Sequence, residues 1–287
     1  MKKTINVIIC LVMLFSMTVN AFASTVTIDY ETIRKAMIEY GMPESVVNTL
    51  PDIEVAKYAN IEATSVDKHY YKFTEIDNEN MVRTSNHQEY TVEEVSEEEC
   101  ISAISEISPL GTIGSSYMET TITVARMSGR RYLVSATYRW ISEPIFQIND
   151  YFGLSIHNNL VMIPDTVVTC SEYDYGSLYD SNIHTVSYFG GLINSGMNGH
   201  CMEVPWEKDD DYYTYMNFRG YMSYQVEVAE VGSNGTVNSL VYLVYAHKTL
   251  IPNFGVTFSY PTNAAISIGP SISFDYLYQT TSFTHYE

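Results

Sequence analysis

The chain has 287 residues and a formal net charge of −19, from 34 acidic against 15 basic residues. That length suits one large domain, or one domain with an appendage. The acidic balance argues against nucleic acid and anionic lipid as partners, because both would be repelled.

Residues 1–23 read as a secretory signal peptide. Lys2 and Lys3 supply a charged start, residues 5–19 are mostly apolar, and Ala21-Phe22-Ala23 offers a small-residue cleavage site. The apolar run is interrupted by Asn6, Ser16 and Thr18. It also falls short of the roughly 20 residues that span a bilayer. The expectation is therefore a secreted protein with no integral membrane segment after processing.

Residues 24–110 read as an acidic, mainly helical region. Ile33, Met37, Ile38 and Tyr40 mark one face of a helix that Gly41 and then Pro43 should stop. Pro43 and Pro51 each precede a short helical pattern, at 44–50 and 52–59, where proline is tolerated. Residues 69–74 alternate like a strand. A further helix is expected over 96–107, with Ser96 as its cap and Glu99 three residues on. The acidic run of Glu93, Glu94 and Glu97 to Glu99 reads as a solvated helix face.

Residues 111–287 read as an antiparallel β-sandwich, so the expected class is mainly β with a short N-terminal helical region. Residues 117–126 and 131–141 form two strand patterns around the turn Ser128-Gly129. In the second, Tyr132, Val134, Ala136, Tyr138 and Trp140 share one face. Residues 212–231 and 236–250 flank Asn234-Gly235, the signature of a type I′ hairpin. Arms of that length call for a bend, expected near Gly220. Shorter strands follow at 255–260, 264–268 and 271–278. With no helical pattern between them, these strands suit a sandwich better than a parallel sheet.

Three stretches carry a resemblance: Tyr-Gly-Met-Pro-Glu-Ser-Val-Val at 40–47, Ser-Gly-Arg-Arg-Tyr-Leu-Val-Ser-Ala-Thr-Tyr-Arg-Trp at 128–140, and Ile-Ser-Phe-Asp-Tyr at 272–276. In layout and local texture the chain resembles uncharacterised secreted proteins of Gram-positive bacteria. The resemblance implies export and a helical leader before a β domain. It carries no catalytic residue across.

Catalytic signatures are missing from the sequence. There is no His-Glu-x-x-His, no Gly-x-Ser-x-Gly, no phosphate-binding glycine loop with a lysine, and no Cys-x-x-Cys. A Cys201 nucleophile with His184 or His247 as base would need a cation or helix N-terminus to lower the thiol's pKa, and the acids around it act the other way. Two acidic groups are candidate hard-oxygen ligands for calcium: Glu172, Asp174 and Asp180, and Asp209, Asp210 and Asp211. Neither matches an EF-hand loop, so no cofactor is expected, calcium remains the alternative, and the acids read first as solvating an exposed connection. Of the four cysteines, Cys10 leaves with the signal and three single pairings remain open. Position favours Cys170 with Cys201, on strands joined by the 172–180 segment, with three reduced thiols as the alternative. Cys100 reads as a buried thiol in a helix.

Tyrosine is over-represented, at 25 residues against 2 tryptophans. Tyr173, Tyr175 and Tyr179 bunch in one segment, and Tyr212, Tyr213 and Tyr215 in another just beyond Trp206. Rings beside carboxylates can stack on sugars or contact protein, so Tyr173, Tyr175, Tyr179, Trp206, Tyr212 and Tyr213 are the candidate ligand-binding set. The expected function is a non-enzymatic binding or interaction protein at the cell surface, with a glycan or cell-surface protein as partner. One alternative is an extracellular hydrolase cleaving wall or other polysaccharide through a carboxylate pair. Another is a β-type pore-former, suggested by the alternation at 120–125 and 135–138. Arg126, Arg130, Arg131 and Arg139 crowd the same hairpin and weigh against it.

Overall fold

The computed structural model describes residues 29–75, 90–106, 115–142, 150–177, 179–196, 198–206, 212–229, 235–248, 256–259, 265–268 and 274–286. The signal-peptide segment, Asp209 to Asp211 and Asn234 lie outside the described residues.

Local chemistry accounts for the helical start. Helix α1 (Tyr30–Glu39) is capped by Asp29, whose carboxylate accepts from the Thr32 N–H at 3.2 Å and from its hydroxyl at 2.6 Å. Gly41 ends it at φ 90°, with N–H bonds running from Gly41 to Ile38 and from Met42 to Met37. That pair of bonds is a Schellman cap, with Met37 and Met42 in the accompanying apolar contact. Helices α2 (Glu44–Thr49) and α3 (Asp52–Val55) follow Pro43 and Pro51 as expected. Arg34 secures them by donating to the carbonyls of Val47 and Leu50 and pairing with Asp52 at 3.0 Å. Helix α4 (Glu97–Glu106) starts at Ser96, whose hydroxyl accepts from the Glu99 N–H at 3.1 Å.

Fifteen strands are described. Eight of them make the first sheet: β1 (Glu62–Glu75), β2 (Tyr90–Val95), β3 (Ser115–Ser128), β4 (Arg131–Trp140), β6 (Leu160–Met162), β7 (Val168–Ser177), β8 (Asp180–Phe189) and β11 (Tyr213–Val228). Its order is β2-β1-β3-β4-β11-β7-β8, and β6 also pairs with β11. The second sheet is β15-β12-β5-β10-β9, from β5 (Asp150–Ile156), β9 (Leu192–Gly196), β10 (Gly199–Val204), β12 (Thr236–Lys248) and β15 (Phe274–Tyr286). A separate pair joins β13 (Val256–Ser259) to β14 (Ala265–Ile268). Every pairing is antiparallel. The chain is thus mainly β, a sandwich of two open antiparallel sheets with a few short helices.

The inner faces share one core. Tyr132, Val134, Ala136, Tyr138 and Trp140 of β4 meet Phe152, Leu154, Leu243 and Tyr245 of the second sheet. Polar bonds cross the same gap: Trp140 Nε1 donates to the Tyr245 hydroxyl at 2.9 Å, and that hydroxyl donates to buried Asp150 at 2.6 Å. The outer face of the first sheet is covered too. There Ile33, Met37, Val46, Val47, Val55 and Tyr58 from the helical segment pack on Met127, Leu133, Cys170 and Tyr221. Strand β4 is therefore buried on both faces over most of its length, not half-buried as its alternation suggests.

Several expectations are corrected. The Asn234-Gly235 hairpin is not one: β11 pairs with β4, β6 and β7, whereas β12 pairs with β5 and β15 in the opposite sheet. Turn chemistry at a glycine (Gly235 has φ 73°) permits a reversal but does not choose whether the next strand pairs or crosses the core. The bend expected near Gly220 is present, centred at Asn217 (φ 56°), where the register slips between Met216 and Arg219. Gly220 has another role, since a Cβ there would collide with the Tyr138 ring lying over it. The stretch read as mainly helical also contributes β1 and β2, and Glu93 and Glu94 belong to edge strand β2 rather than a helix. The alternation at 69–74 lies within β1, while the β2 signal is hidden because charged side chains suit an edge strand as well as a helix surface. Among the described residues, no helix is long and apolar enough to cross a membrane.

Candidate functional site

Strands β7, β8 and β11 place a strip of aromatic rings on the inner face of the first sheet. Register puts Tyr215 opposite Tyr175 and Tyr213 opposite Ser177 on one side of β7. On the other side His184 lies opposite Tyr175, and Val186 opposite Tyr173. Directly opposed residues point to the same face, so the period-2 spacing of Tyr173 and Tyr175 and of Tyr213 and Tyr215 collects all of these rings.

The bulge at Asn217 makes this possible. Before it, the inward residues of β11 are odd-numbered, Tyr213 and Tyr215. After it they are even-numbered: Phe218, Met222, Tyr224, Val226 and Val228 are in the core. One inserted residue flips the side-chain alternation. Without it, either the tyrosines or the core residues would face the wrong way.

The rings make a chain of contacts. Trp140 meets Trp206 edge-on at 6.1 Å, and Trp206 packs on Phe218 at 4.3 Å. Phe218 meets Tyr173 at 5.7 Å, and Tyr173 meets Tyr215 at 5.5 Å. Tyr215, Tyr213 and Tyr175 are mutual neighbours, and the His184 ring stacks on Tyr175 at 5.2 Å. Tyr188 closes the β8 side through a 3.1 Å hydroxyl–hydroxyl bond to Tyr173. Farther out, Tyr179 stacks on Tyr212 at 5.9 Å. Exposure rises along the strip, from 9% at Trp206 through 39% at Tyr213 to 81% at Tyr179. One end belongs to the core and the other to solvent.

Behind the strip, on the outer face, lies a polar cluster. Arg219 Nε donates to Glu172 at 2.9 Å, and its terminal nitrogens donate to Asp174 at 3.2 Å. Ser187 and Ser45 donate to Glu172, which ties α2 to the sheet, and Thr185 and Asn217 donate to Asp174. Burial works to raise the Asp174 carboxyl, but the bonds from Arg219, Thr185 and Asn217 outweigh it and hold it below the usual carboxylate range. At the β7–β8 turn, Asp180 accepts from the Asn182 backbone at 2.9 Å and meets His184 Nε2 at 2.7 Å.

All six candidate ligand-binding residues lie along the strip, but not equivalently. Trp206 and Tyr173 are buried at its inner end and support it, whereas Tyr175, Tyr213, Tyr212 and Tyr179 reach progressively into solvent. The strip also includes Tyr188, His184 and Phe218, which lie outside the two tyrosine segments. Extending the period-2 pattern along β8 would have found the first two. Phe218 lay beyond reach because its parity depends on the bulge.

Among the described residues no group of three or more His, Cys, Asp or Glu side chains could hold a metal ion, so the calcium candidates Glu172, Asp174 and Asp180 do not form a site there, and Asp209 to Asp211 lie outside those residues. Glu172 and Asp174 face outward and are committed to Arg219, while Asp180 serves the turn. The Cys170–Cys201 bridge is corrected as well: Cys100, Cys170 and Cys201 are all free and buried. The 172–180 segment is not a loop between neighbouring strands of one sheet that both carry cysteines. Cys170 lies on β7 under the helices, and the chain then crosses at Gly190-Gly191 (φ 96° and 80°) to put Cys201 on β10 of the second sheet. Burial, reinforced by Glu172, pushes the Cys170 thiol up to about 12. Burial and Glu203 hold Cys201 well above its ordinary value, the reverse of what a thiolate nucleophile needs.

No protein-family model matches this sequence, and no curated protein matches it significantly. What the fold and site define is a class: an open antiparallel β-sandwich carrying a graded aromatic strip backed by a partly buried ion cluster.

Proposed function

We propose that this chain is an exported, non-enzymatic binding protein that holds a neutral glycan on the solvent-exposed half of the aromatic strip, at the surface of a Gram-positive cell. The observation that carries the reading is the strip's grading. Trp206, Phe218 and Tyr173 anchor it in the core, so the outer rings of Tyr175, Tyr213 and Tyr215 are presented on a rigid sheet. Rigid, pre-positioned rings lose little entropy on binding. Their faces suit the C–H faces of sugars, and Tyr hydroxyls with Asp180 and Asn182 beside them suit sugar hydroxyls. A net charge of −19 favours a neutral polymer over an anionic one.

Binding is preferred over hydrolysis because Glu172 and Asp174 both spend their charge on Arg219 on the face opposite the strip. Pore formation is disfavoured because Thr120, Ile122, Val124, Ser135, Ala136 and Tyr138 are buried between neighbouring layers. Affinity electrophoresis through gels containing neutral polysaccharides is the test. At least one should retard the protein, and Tyr213→Ala with Tyr179→Ala should abolish the retardation without lowering Tm. Free migration through all of them, with envelope protein captured instead, would overturn the glycan reading.

A further inference from the structure

The first sheet leaves one long edge open among the described residues. Among the described residues the two sheet paths end in four strands, β2 and β8 in the first and β15 and β9 in the second, and three of these are guarded. Strand β2 presents exposed Glu93 and Glu94. Strand β15 is fastened to β1, through Gln279 Nε2 donating to the Asp67 carbonyl at 2.7 Å and a 3.1 Å bond between Ser65 and Thr281. Strand β9 is only five residues long. Strand β8 differs from all three. It has ten residues, and among the described residues no strand pairs with its outer side. Past Asp180 it carries no carboxylate, lysine or proline, the usual protections of an open edge. It exposes apolar side chains instead: Ile183 at 64%, Phe189 at 54%, and Tyr188.

The sequence of this edge is a chemical palindrome about Val186. Ile183-His184-Thr185-Val186-Ser187-Tyr188-Phe189 runs apolar, ring, hydroxyl, valine, hydroxyl, ring, apolar. An antiparallel copy aligned on Val186 would match every position. Ile183 would meet the second copy's Phe189, His184 its Tyr188, Thr185 its Ser187, and Val186 its Val186. Cross-strand pairs of like character are the unit of sheet stabilisation, and a two-fold axis requires such self-complementarity.

We propose that β8 is a homodimer interface, in which two copies of this chain join edge to edge in the register centred on Val186. The first sheets of the two copies then form one continuous sheet. A two-fold axis perpendicular to that sheet keeps both aromatic strips on the same face, with His184 and Tyr188 of each copy meeting at the junction. The partner is a second copy rather than an unrelated strand because the palindrome has no purpose in a heterologous pairing. A net charge of −19 repels copies, and the edge nearly free of charge is where that repulsion is least.

Sedimentation velocity on the purified full chain tests this without any glycan, so the outcome is separate from the binding reading. The wild-type protein should sediment as a dimer at micromolar concentration. Ile183→Lys with Phe189→Lys sets lysine against lysine twice and should raise the dissociation constant about a hundredfold. That variant is less acidic than the wild type, so a monomer cannot be ascribed to net repulsion. Ile183→Lys with Phe189→Glu sets lysine against glutamate in the same register and should restore the dimer. Both positions are exposed, and circular dichroism melts verify folding. A monomeric wild type, a dimer indifferent to the lysine pair, or a lysine–glutamate variant that stays monomeric would each overturn the proposal.

Discussion

The two ends of the aromatic strip are built from the same kind of residue on the same sheet face, yet they do different physical work. At the inner end Trp206, Phe218 and Tyr173 are buried, so their rings contribute packing and removed surface. At the outer end Tyr213, Tyr212 and Tyr179 keep much of their area in water, so their rings contribute little to folding and remain free to contact a ligand. Residue type does not separate the two roles. Burial does, and burial here depends on one bulge and on where the second sheet lies. Substitutions along the strip should therefore trade loss of stability for loss of binding in step with exposure.

The largest effect is expected at the buried end. Trp206→Ala empties a site between Trp140 and Phe218 and should cost about 3 to 5 kcal/mol in urea-induced unfolding. A cost under about 1 kcal/mol would break the division of roles.

Next is the cluster behind the strip. Arg219→Met leaves Glu172 buried without its cation and should cost about 2 to 3 kcal/mol, below the full value for a buried pair because Arg219 keeps 30% of its side-chain exposure. Adding Glu172→Gln should recover part of the loss, and a double-mutant cycle would measure the coupling.

Gly220→Ala comes third. The new methyl meets the Tyr138 ring, and overpacking of this kind costs about 1 to 3 kcal/mol. Adding Tyr138→Leu, which clears the ring, should make the alanine far better tolerated. Equal cost in both backgrounds would mean the glycine is needed for another reason.

Acid should weaken the core through two histidines away from the strip, His200 beside Tyr224 and His285 beside Tyr132. Burial holds His200 and His285 below the ordinary imidazole value, and Arg126 and Arg130 lower His285 further. The folded protein therefore resists a proton that the unfolded chain accepts near pH 6.5. Stability from these groups is complete above about pH 6.5 and declines as pH falls from there through the folded values. Unfolding midpoints measured from about pH 7.5 down to about pH 5 should fall, and His285→Gln should flatten part of that slope.

The smallest effect on stability is expected at the rim. Tyr213→Ala should change unfolding free energy by under about 1 kcal/mol while weakening glycan binding by about tenfold or more. Loss of stability together with retained binding would reverse the comparison.

Much of this molecule could be read before any tertiary structure. The Schellman stop at Gly41, the Ser96 cap, the β3–β4 hairpin and the core face of β4 all follow from interactions within a few residues. The tyrosine segments are legible as a group for the same reason, since alternation along β7 and β11 needs only the neighbours on each strand. The differences share an origin as well. Asn234-Gly235 has the signature of a hairpin, but turn residues report the local reversal and not the partner of the next strand. Cys170 and Cys201 suit a bridge only if closeness along the chain stands in for closeness in space.

Composition and local pattern determined that this chain is acidic, mainly β, helical at its described start and rich in aromatic strands. Only the tertiary structure decided that β11 and β12 lie in opposite sheets, that β1 and β2 complete the first one, and that Asn217 reverses side-chain parity within β11. The physical reason is that caps, turns and alternation are energies between residues close in sequence. Strand partnership is settled by burying faces contributed from distant parts of the chain. The aromatic strip depends on both, with its tyrosines spaced by the sequence and their exposure assigned by the packing of two sheets.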